Sequence, residues 1–283
     1  MATTGIVGLG LIGMALSRRL INDGVTPVVF DLKVEALQAA VADGAAAASS
    51  SRDLAARCDI ILVAVQNDKQ CVTAIAGPDG LLEGTRPGTC IAVISTVMPS
   101  TIISLAKEAA AKGVDLVDTP MAGRGMFSVQ EGSMTVMVGD QGQLVEKLKP
   151  ILGHFASRIV PAGKLGGGAA LKLTHNMVVY AGFAALVEAV KLADAAGVGA
   201  GLLEEVATSS GALSSLSAMY MQAYKHFRDN PHTVEENDAL RVAASLLDKD
   251  LGDAVALADS LNLDTPVARL LSHSGTTVFP VGS

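Results

Sequence analysis

The sequence predicts an α/β chain: a doubly wound, mostly parallel sheet over about the first 160 residues, then an all-helical remainder. Three observations predict it. Thr4-Gly5-Ile6-Val7 reads as a short buried strand that runs through Gly8-Leu9-Gly10-Leu11-Ile12-Gly13 directly into a helical pattern from Met14 to Leu20. Continuous apolar runs of strand length then alternate with helical patterns, as parallel strands covered on both faces require. Strand signals cease near Val160, and everything after reads as helix.

The first element carries the most chemistry. Gly8 permits a tight turn off the strand, Gly10 lets the backbone approach a pyrophosphate, and Gly13 lets the helix pack on the strand. The amides of Leu9, Gly10, Leu11 and Ile12 then lie at a helix N-terminus, where the dipole favours an anion. The next apolar run, Pro27 to Phe30, ends in Asp31, an acceptor for a ribose hydroxyl. Strand, glycine loop, helix, second strand and terminal acid together indicate dinucleotide binding. The Asp31 carboxylate repels a 2′-phosphate and favours NAD, whereas Lys33 two residues on attracts that phosphate, so NADP stays open.

Further along, Lys33–Val41 predicts a helix, and Asp59–Val65, Thr89–Ser95, Val114–Thr119 and Met134–Val138 predict strands. Pro99–Lys112 and Gln141–Leu152 predict helices between them, and the alanine-serine run from Ala45 to Ser51 predicts a loop with a short strand. Right-handed crossovers put the strand C-terminal ends on one edge, where ligands bind. Val65-Gln66-Asn67, Ser95-Thr96 and Pro120-Met121-Ala122 fall there, which makes Val65 and Asn67 cofactor candidates. The glycine-rich stretch Pro161–Gly168 is the predicted boundary between a domain of residues 1–162 and one of residues 163–283. Ala169 to about Ala196 is the longest helical pattern, apolar nearly all round through Leu171, Leu173, Met177, Val178, Phe183, Leu186 and Val187, and so expected to be buried on most sides. Gly201–Ser209, Leu213–Phe227, Val234–Ser260 and Pro266–Ser274 complete the helices.

Within that long helix Lys172 and Asn176 need explaining. Four residues apart, they share a face. An ammonium in an apolar helix is costly unless it meets a polar cavity or a partner, and a cavity between two domains, opposite a nicotinamide, is such a place. Burial there lowers a lysine's pKa toward neutral, as general acid/base work requires. His175 points elsewhere by about 100° and reads as a packed or surface histidine. Asp118–Gly125 follows a strand and sets Arg124 between Gly123 and Gly125. Its amides could cradle a carboxylate and Arg124 could clamp one, unless it is a solvated loop arginine. Lys249-Asp250 reads on its own as a charge pair on a helix surface.

Composition narrows the rest. The chain has 283 residues, half of them hydrophobic, and a net charge of −7. That length holds two modest domains, and the acidic balance disfavours nucleic acid or an anionic membrane as partner. No stretch reads as long and uncharged enough to span a bilayer, and no basic segment with an apolar block opens the chain. Cys58, Cys71 and Cys90 read as buried, reduced thiols of a cytoplasmic protein, and no Cys/His spacing suggests a metal.

These segments together resemble the β-hydroxyacid dehydrogenase family, which includes 3-hydroxyisobutyrate dehydrogenase and tartronate semialdehyde reductase. The resemblance spans most of the chain. It rests on Gly8–Gly13, on Ser95-Thr96-Val97-Met98-Pro99, on Asp118–Gly125 with Glu131–Gly139 behind it, on Gly166–Asn176, and on Lys249-Asp250-Leu251. It implies a Rossmann domain and a helical domain joined by the long helix, assembled as a homodimer or homotetramer. It implies Lys172 as general acid/base, Asn176 as a substrate-orienting group, Thr96 near the nicotinamide ribose and the substrate, and Lys249 beside the cofactor. The implied partner is a small hydroxy acid or the matching aldehyde acid. Two departures stand out. The family's substrate loop commonly reads Ser-Gly-Gly where this chain has Ala122-Gly123-Arg124, which leaves carboxylate binding to backbone amides and points to a bulkier or dianionic acid. The aromatic that often precedes Lys-Asp-Leu is missing, with Arg241, Val242 and Leu246 in that region. An imine reductase is the alternative enzyme, against which Lys172 argues, since those relatives usually carry Asp or Tyr there. A catalytically silent dinucleotide-binding protein is the alternative outside catalysis, against which Lys172 and Asn176 together argue.

Overall fold

The computed structural model describes residues 2–140, 144–230 and 238–279. It divides into two compact units, Met1–Lys172 and Leu173–Ser283.

In the first unit six strands form a parallel sheet: β1 (Thr4–Val7), β2 (Val28–Phe30), β3 (Ala46–Ala47), β4 (Ile60–Val63), β5 (Cys90–Val93) and β6 (Asp115–Asp118), in the order β3-β2-β1-β4-β5-β6. Successive side chains go to opposite faces. Ile6, Leu62, Ala92 and Val117 enter one core, Val7, Ile61, Val63, Ile91 and Val93 the other. Burial on both faces is why these strands read as unbroken apolar runs. The connecting helices are α1 (Leu11–Asn22), α2 (Val34–Ala42), α3 (Ser51–Arg57), α4 (Asp68–Ala76), α5 (Leu81–Gly84) and α6 (Pro99–Ala110). Pro99 opens α6 at the position where a missing N–H costs nothing.

Met134–Val138 departs from the single-sheet expectation. It is β8 of a separate three-stranded sheet, antiparallel to β7 (Met121–Ala122) and parallel to β9 (Ala156–Pro161). The chain turns out of the large sheet after Asp118, and the carbonyl of Pro120 accepts the Met137 amide. β8 pairs with β7 and β9, and an isolated antiparallel bridge, Asp118 to Gly139, links its end to that of β6. Helices α7 (Met126–Glu131) and α8 (Val145–Leu152) flank this sheet. The start of the helix expected from Gln141 lies outside the described residues.

The N-terminal ends of the central strands β1 and β4 are fastened by Asp59, which accepts from the Thr3 amide at 2.9 Å and from Arg86 at 2.6 Å. The Thr3 amide first, then Arg86, hold this carboxyl below its ordinary 3.8. Its stabilising contribution is therefore complete above 3.8 and disappears as pH falls through the lowered value. We expect Asp59→Asn to lower Tm by roughly 2 °C at neutral pH, as suits an exposed pair. The two Tm values should converge as pH falls through that lowered pKa in a pH-dependent melting series.

Helix α9 (Gly167–Ala195) begins in the first unit and runs into the second. The second unit adds α10 (Ala200–Ser209), α11 (Ser215–Asp229), α12 (Asp238–Ser260), α13 (Pro266–Leu271) and α14 (Gly275–Val278). Residues 234–237 of the helix expected from Val234 lie outside the described residues. The core is Phe183, Val187, Val190, Tyr220, Met221, Leu247 and Leu251, with Phe183 stacked on Tyr220 at 4.0 Å. Helix α14 packs so closely on α12 that a Cβ on Gly275 would lie 2.2 Å from the Ala244 carbonyl oxygen.

Two expectations about α9 are corrected. It is not buried on most sides: Leu173, Phe183 and Val187 are covered, but Val178 is 76% and Leu192 71% exposed. By length and composition alone it is also long and apolar enough to cross a membrane, with a mean hydropathy of 1.4 over its most apolar window, where the sequence reading expects no such stretch. Both follow from one fact: its apolar residues encircle the helix, while the fold covers only one side.

Candidate functional site

The glycine loop has the shape its spacing predicts. Gly8 adopts φ +91°, and a Cβ there would lie 2.5 Å from the Ala64 carbonyl oxygen. At Gly13 a Cβ would lie 1.8 Å from the Gly8 oxygen, so α1 seats directly on the turn. Around Gly10, by contrast, a Cβ would meet nothing within 4 Å. That open side is where a ligand approaches the backbone. Gly10 caps α1 without a side-chain bond, and no acid stands in the helix's first turn. The helix start therefore keeps its positive end for an external anion.

Asp31 does more than terminate β2. Its carboxylate accepts from the Leu9 amide at 2.6 Å and the Lys33 amide at 2.7 Å. One side chain thus ties the tip of β2 to the glycine loop and keeps acceptor capacity on each oxygen. A cleft of about 1190 Å³ opens along this edge, lined by Gly8, Leu9, Gly10, Leu11, Asp31, Val65 and Asn67. Leu32, Lys69, Gln70 and Asp79, which the sequence does not single out, line it too, as does Lys33, weighed above for the 2′-phosphate. Ile12 and Gly13 serve the loop from within. Asn67 is the N-cap of α4, its side-chain oxygen accepting the Gln70 amide at 2.9 Å. Ser95 holds the neighbouring segment, its hydroxyl accepting the Val65 amide at 2.8 Å, with half-buried Thr96 next in the chain. The open backbone at Gly10, the uncapped helix start and the acid at the end of β2 fit a dinucleotide.

At the end of β6, Asp118 is 1% exposed. Its two oxygens accept the amides of Gly166 at 2.9 Å and Ala169 at 2.7 Å, around the first turn of α9. Burial pushes this carboxyl above its ordinary range, against the opposing pull of those amides. The chain then leads to Ala122 and Gly123. A Cβ on Gly123 would lie 2.6 Å from the Met134 sulfur, so the loop is pressed onto β8. The Arg124 guanidinium meets a carboxylate of the chain itself, Glu131 at 2.5 Å, and its amide donates to the Ser128 hydroxyl at 3.0 Å.

In the second unit a buried polar network surrounds Asn176. Its amide nitrogen donates to Asp250 at 2.6 Å, and its oxygen lies 3.1 Å from Nδ1 of His175. Asp250, 3% exposed, also accepts from the Tyr180 hydroxyl at 3.3 Å and pairs with Lys249 at 2.7 Å. Because a carboxylate only accepts, the Asn176 amide has one allowed orientation. Burial lowers the Lys249 pKa, but Asp250 and Asp253 outweigh it and raise the ammonium above its usual value. Lys249 and Asn176 are thus brought together through Asp250, and Lys172, half-buried, lies one helical turn before Asn176 on α9.

Sequence reasoning named Asp118 and Asp250 only as members of motifs and did not name Tyr180 at all. Asp250 was detectable, since an acid at a buried position of an apolar-periodic helix needs a partner. His175 is half-buried, and its Nδ1 lies 3.1 Å from the Asn176 side-chain oxygen.

Comparison with known proteins agrees with this geometry. Residues 3–163 match the model of the NAD-binding domain of 6-phosphogluconate dehydrogenase. Residues 166–275 match the model described as NAD-binding of NADP-dependent 3-hydroxyisobutyrate dehydrogenase. An uncharacterised oxidoreductase of Mycobacterium tuberculosis is 33% identical over 270 residues, 94% of this chain and 89% of that one. The 2-(hydroxymethyl)glutarate dehydrogenase of Eubacterium barkeri is 32% identical over 269 residues, 95% and 86% of the two chains. A crystal structure of 3-hydroxyisobutyrate dehydrogenase from Salmonella typhimurium superposes with a TM-score of 0.84 at 27% identity, covering 98% of this chain and 94% of that one. With two family models covering most of its length, the chain belongs to the β-hydroxyacid dehydrogenase family and is an NAD(P)-binding oxidoreductase of that type.

Proposed function

We propose that the protein interconverts a small 3-hydroxy acid and its semialdehyde, with NAD preferred over NADP. The carrying observation is the pair on α9: half-buried Lys172 and, one turn on, Asn176 with its amide fixed by Asp250. The bound nicotinamide would supply the hydride acceptor for oxidation and the donor for reduction. In the oxidising direction Lys172, as the neutral amine, takes the hydroxyl proton on Nζ; in reduction its ammonium returns it. Asn176 keeps one amide hydrogen for a substrate oxygen, and Thr96 aligns the same group. The backbone around Ala122 and Gly123 receives the substrate carboxylate. Arg124, already balanced by Glu131, serves a second anionic group on a larger acid. Lys249 stays charged, which suits a contact to the cofactor and not proton transfer.

Gly8 to Gly13 with Val65 and Asn67 would hold the dinucleotide, and Asp31 its ribose. Asp31 and Glu35 both border the cleft, and their charges oppose a 2′-phosphate, which supports NAD, while Lys33 attracts it. The free, buried Cys58, Cys71 and Cys90 support a reducing, cytoplasmic compartment. The exposed Val178, Leu192, Leu202 and Val206 support a homodimer or homotetramer, whose copy number light scattering would give.

The test is a panel of 3-hydroxypropionate, 3-hydroxyisobutyrate and 2-(hydroxymethyl)glutarate with both cofactors, followed at the nicotinamide absorbance. We expect turnover of at least one acid and a KM for NAD about tenfold below that for NADP, the scale of one unfavourable charge contact. Reduction of a cyclic imine with no acid oxidised would replace this reading with the imine reductase one. Binding without turnover of any substrate would indicate the silent alternative.

A further inference from the structure

A buried carboxylate normally needs a cation or several donors, because removal from water penalises its charge. Asp118 takes the second route, with backbone amides of α9's first turn as its donors. The slot is shaped by glycine. A Cβ on Gly139 would lie 2.1 Å from one Asp118 oxygen, and one on Gly168 would lie 2.9 Å from the other. The Asp118 carbonyl, meanwhile, accepts the Gly139 amide at 3.0 Å, fixing the point where the chain leaves the large sheet. On one side of this carboxylate the chain reaches Ala122 and Gly123 within five residues. On the other, Ala169, whose amide it holds, precedes Lys172 by less than one helical turn.

We propose that Asp118 is a positioning residue: it fixes the start of α9, and with it the amine of Lys172, relative to the Ala122–Gly123 segment. This rests on Lys172 as the proton carrier. A carboxylate suits the task because two acceptors on one rigid group hold two amides three residues apart, and its charge matches the helix N-terminus. An error of about 1 Å in a reacting group costs on the order of 10²-fold in rate, so such an anchor is expected to show in kcat.

The test is a double-mutant cycle between Asp118→Asn and Lys172→Ala, run on whichever of the three panel acids is oxidised fastest, with single-turnover measurement for slow variants. Asparagine keeps one acceptor and turns an NH₂ group toward an amide N–H, which breaks one anchor. We expect kcat of Asp118→Asn to fall about tenfold or more, with the NADH dissociation constant within about twofold of the parent. In the Lys172→Ala background the same substitution should change the remaining rate by less than about twofold, because the group it positions is gone. An unchanged kcat in Asp118→Asn, or an equal loss in both backgrounds, overturns the proposal. Normal turnover in Lys172→Ala alone overturns the reading of Lys172 together with the proposal, and is seen without touching Asp118. If the asparagine variant does not fold, Asp118→Ser, with one hydroxyl acceptor and no competing NH₂, goes through the same cycle.

Discussion

Lys172→Ala is expected to lower kcat by about 10²–10⁴-fold, the range for loss of a positioned general acid/base, while NADH binds with near-normal affinity. The separation of the two effects follows from the structure. The dinucleotide cleft is lined by the glycine loop, the ends of β2 and β4, and α4, and Lys172 is not among its lining residues. Lysine at a half-buried position also contributes packing through its stem, so Lys172→Met is the companion variant: it keeps the stem and removes the amine. Equal losses in both variants would assign the effect to the amine. Stopped-flow reduction rates and fluorescence titration of NADH measure the two quantities independently. Turnover within tenfold of the parent in both variants would remove Lys172 from the chemistry.

The second large effect is expected at Gly13. A Cβ there would lie 1.8 Å from a backbone oxygen, a distance that no rotamer change relieves. Gly13→Ala must therefore move α1 away from the turn, at about 1–3 kcal/mol, with a fall in Tm and a roughly 10- to 100-fold weaker NADH complex. Gly10→Ala is the control. The position has ordinary φ of −65° and open space around it, so Tm should hold while NADH affinity falls. Melting curves and NADH titrations of the two variants separate a glycine needed by the fold from one needed by the ligand. Unchanged NADH affinity in Gly10→Ala would mean that the dinucleotide does not approach the loop there.

The contrast between those glycines shows what the sequence could carry. Spacing in its setting located the loop: GxGxxG between a strand and a helix, with Asp31 ending the next strand, has few other uses. The parallel sheet was legible because burial on both faces leaves unbroken runs such as Ile60–Val63. The placement of β8 was not, because a strand's own pattern does not say which edge it pairs with. That depended on the turn after Asp118 and the Pro120–Met137 hydrogen bond. Lys172 and Asn176 stood out as polar residues in an apolar helix. Of their supporting acids, Asp250 was detectable as an acid at a buried position of a periodic helix, but Asp118 was not, because it becomes distinctive only when Gly166 and Ala169 are folded onto it. The exposure of Val178 and Leu192 was also out of reach: hydropathy records what a side chain is, not which side of a helix the fold leaves bare.

The two amides that pin Asp31 bear on any effort to change coenzyme preference. Replacing Asp31 to admit a phosphorylated ribose would also release the Leu9 amide, and with it the loop proposed to receive the pyrophosphate. Redesign toward NADPH is therefore better begun at Leu32 and Glu35, which border the same cleft. There the charge environment of the sugar can be rewritten while the hinge between loop and strand stays latched.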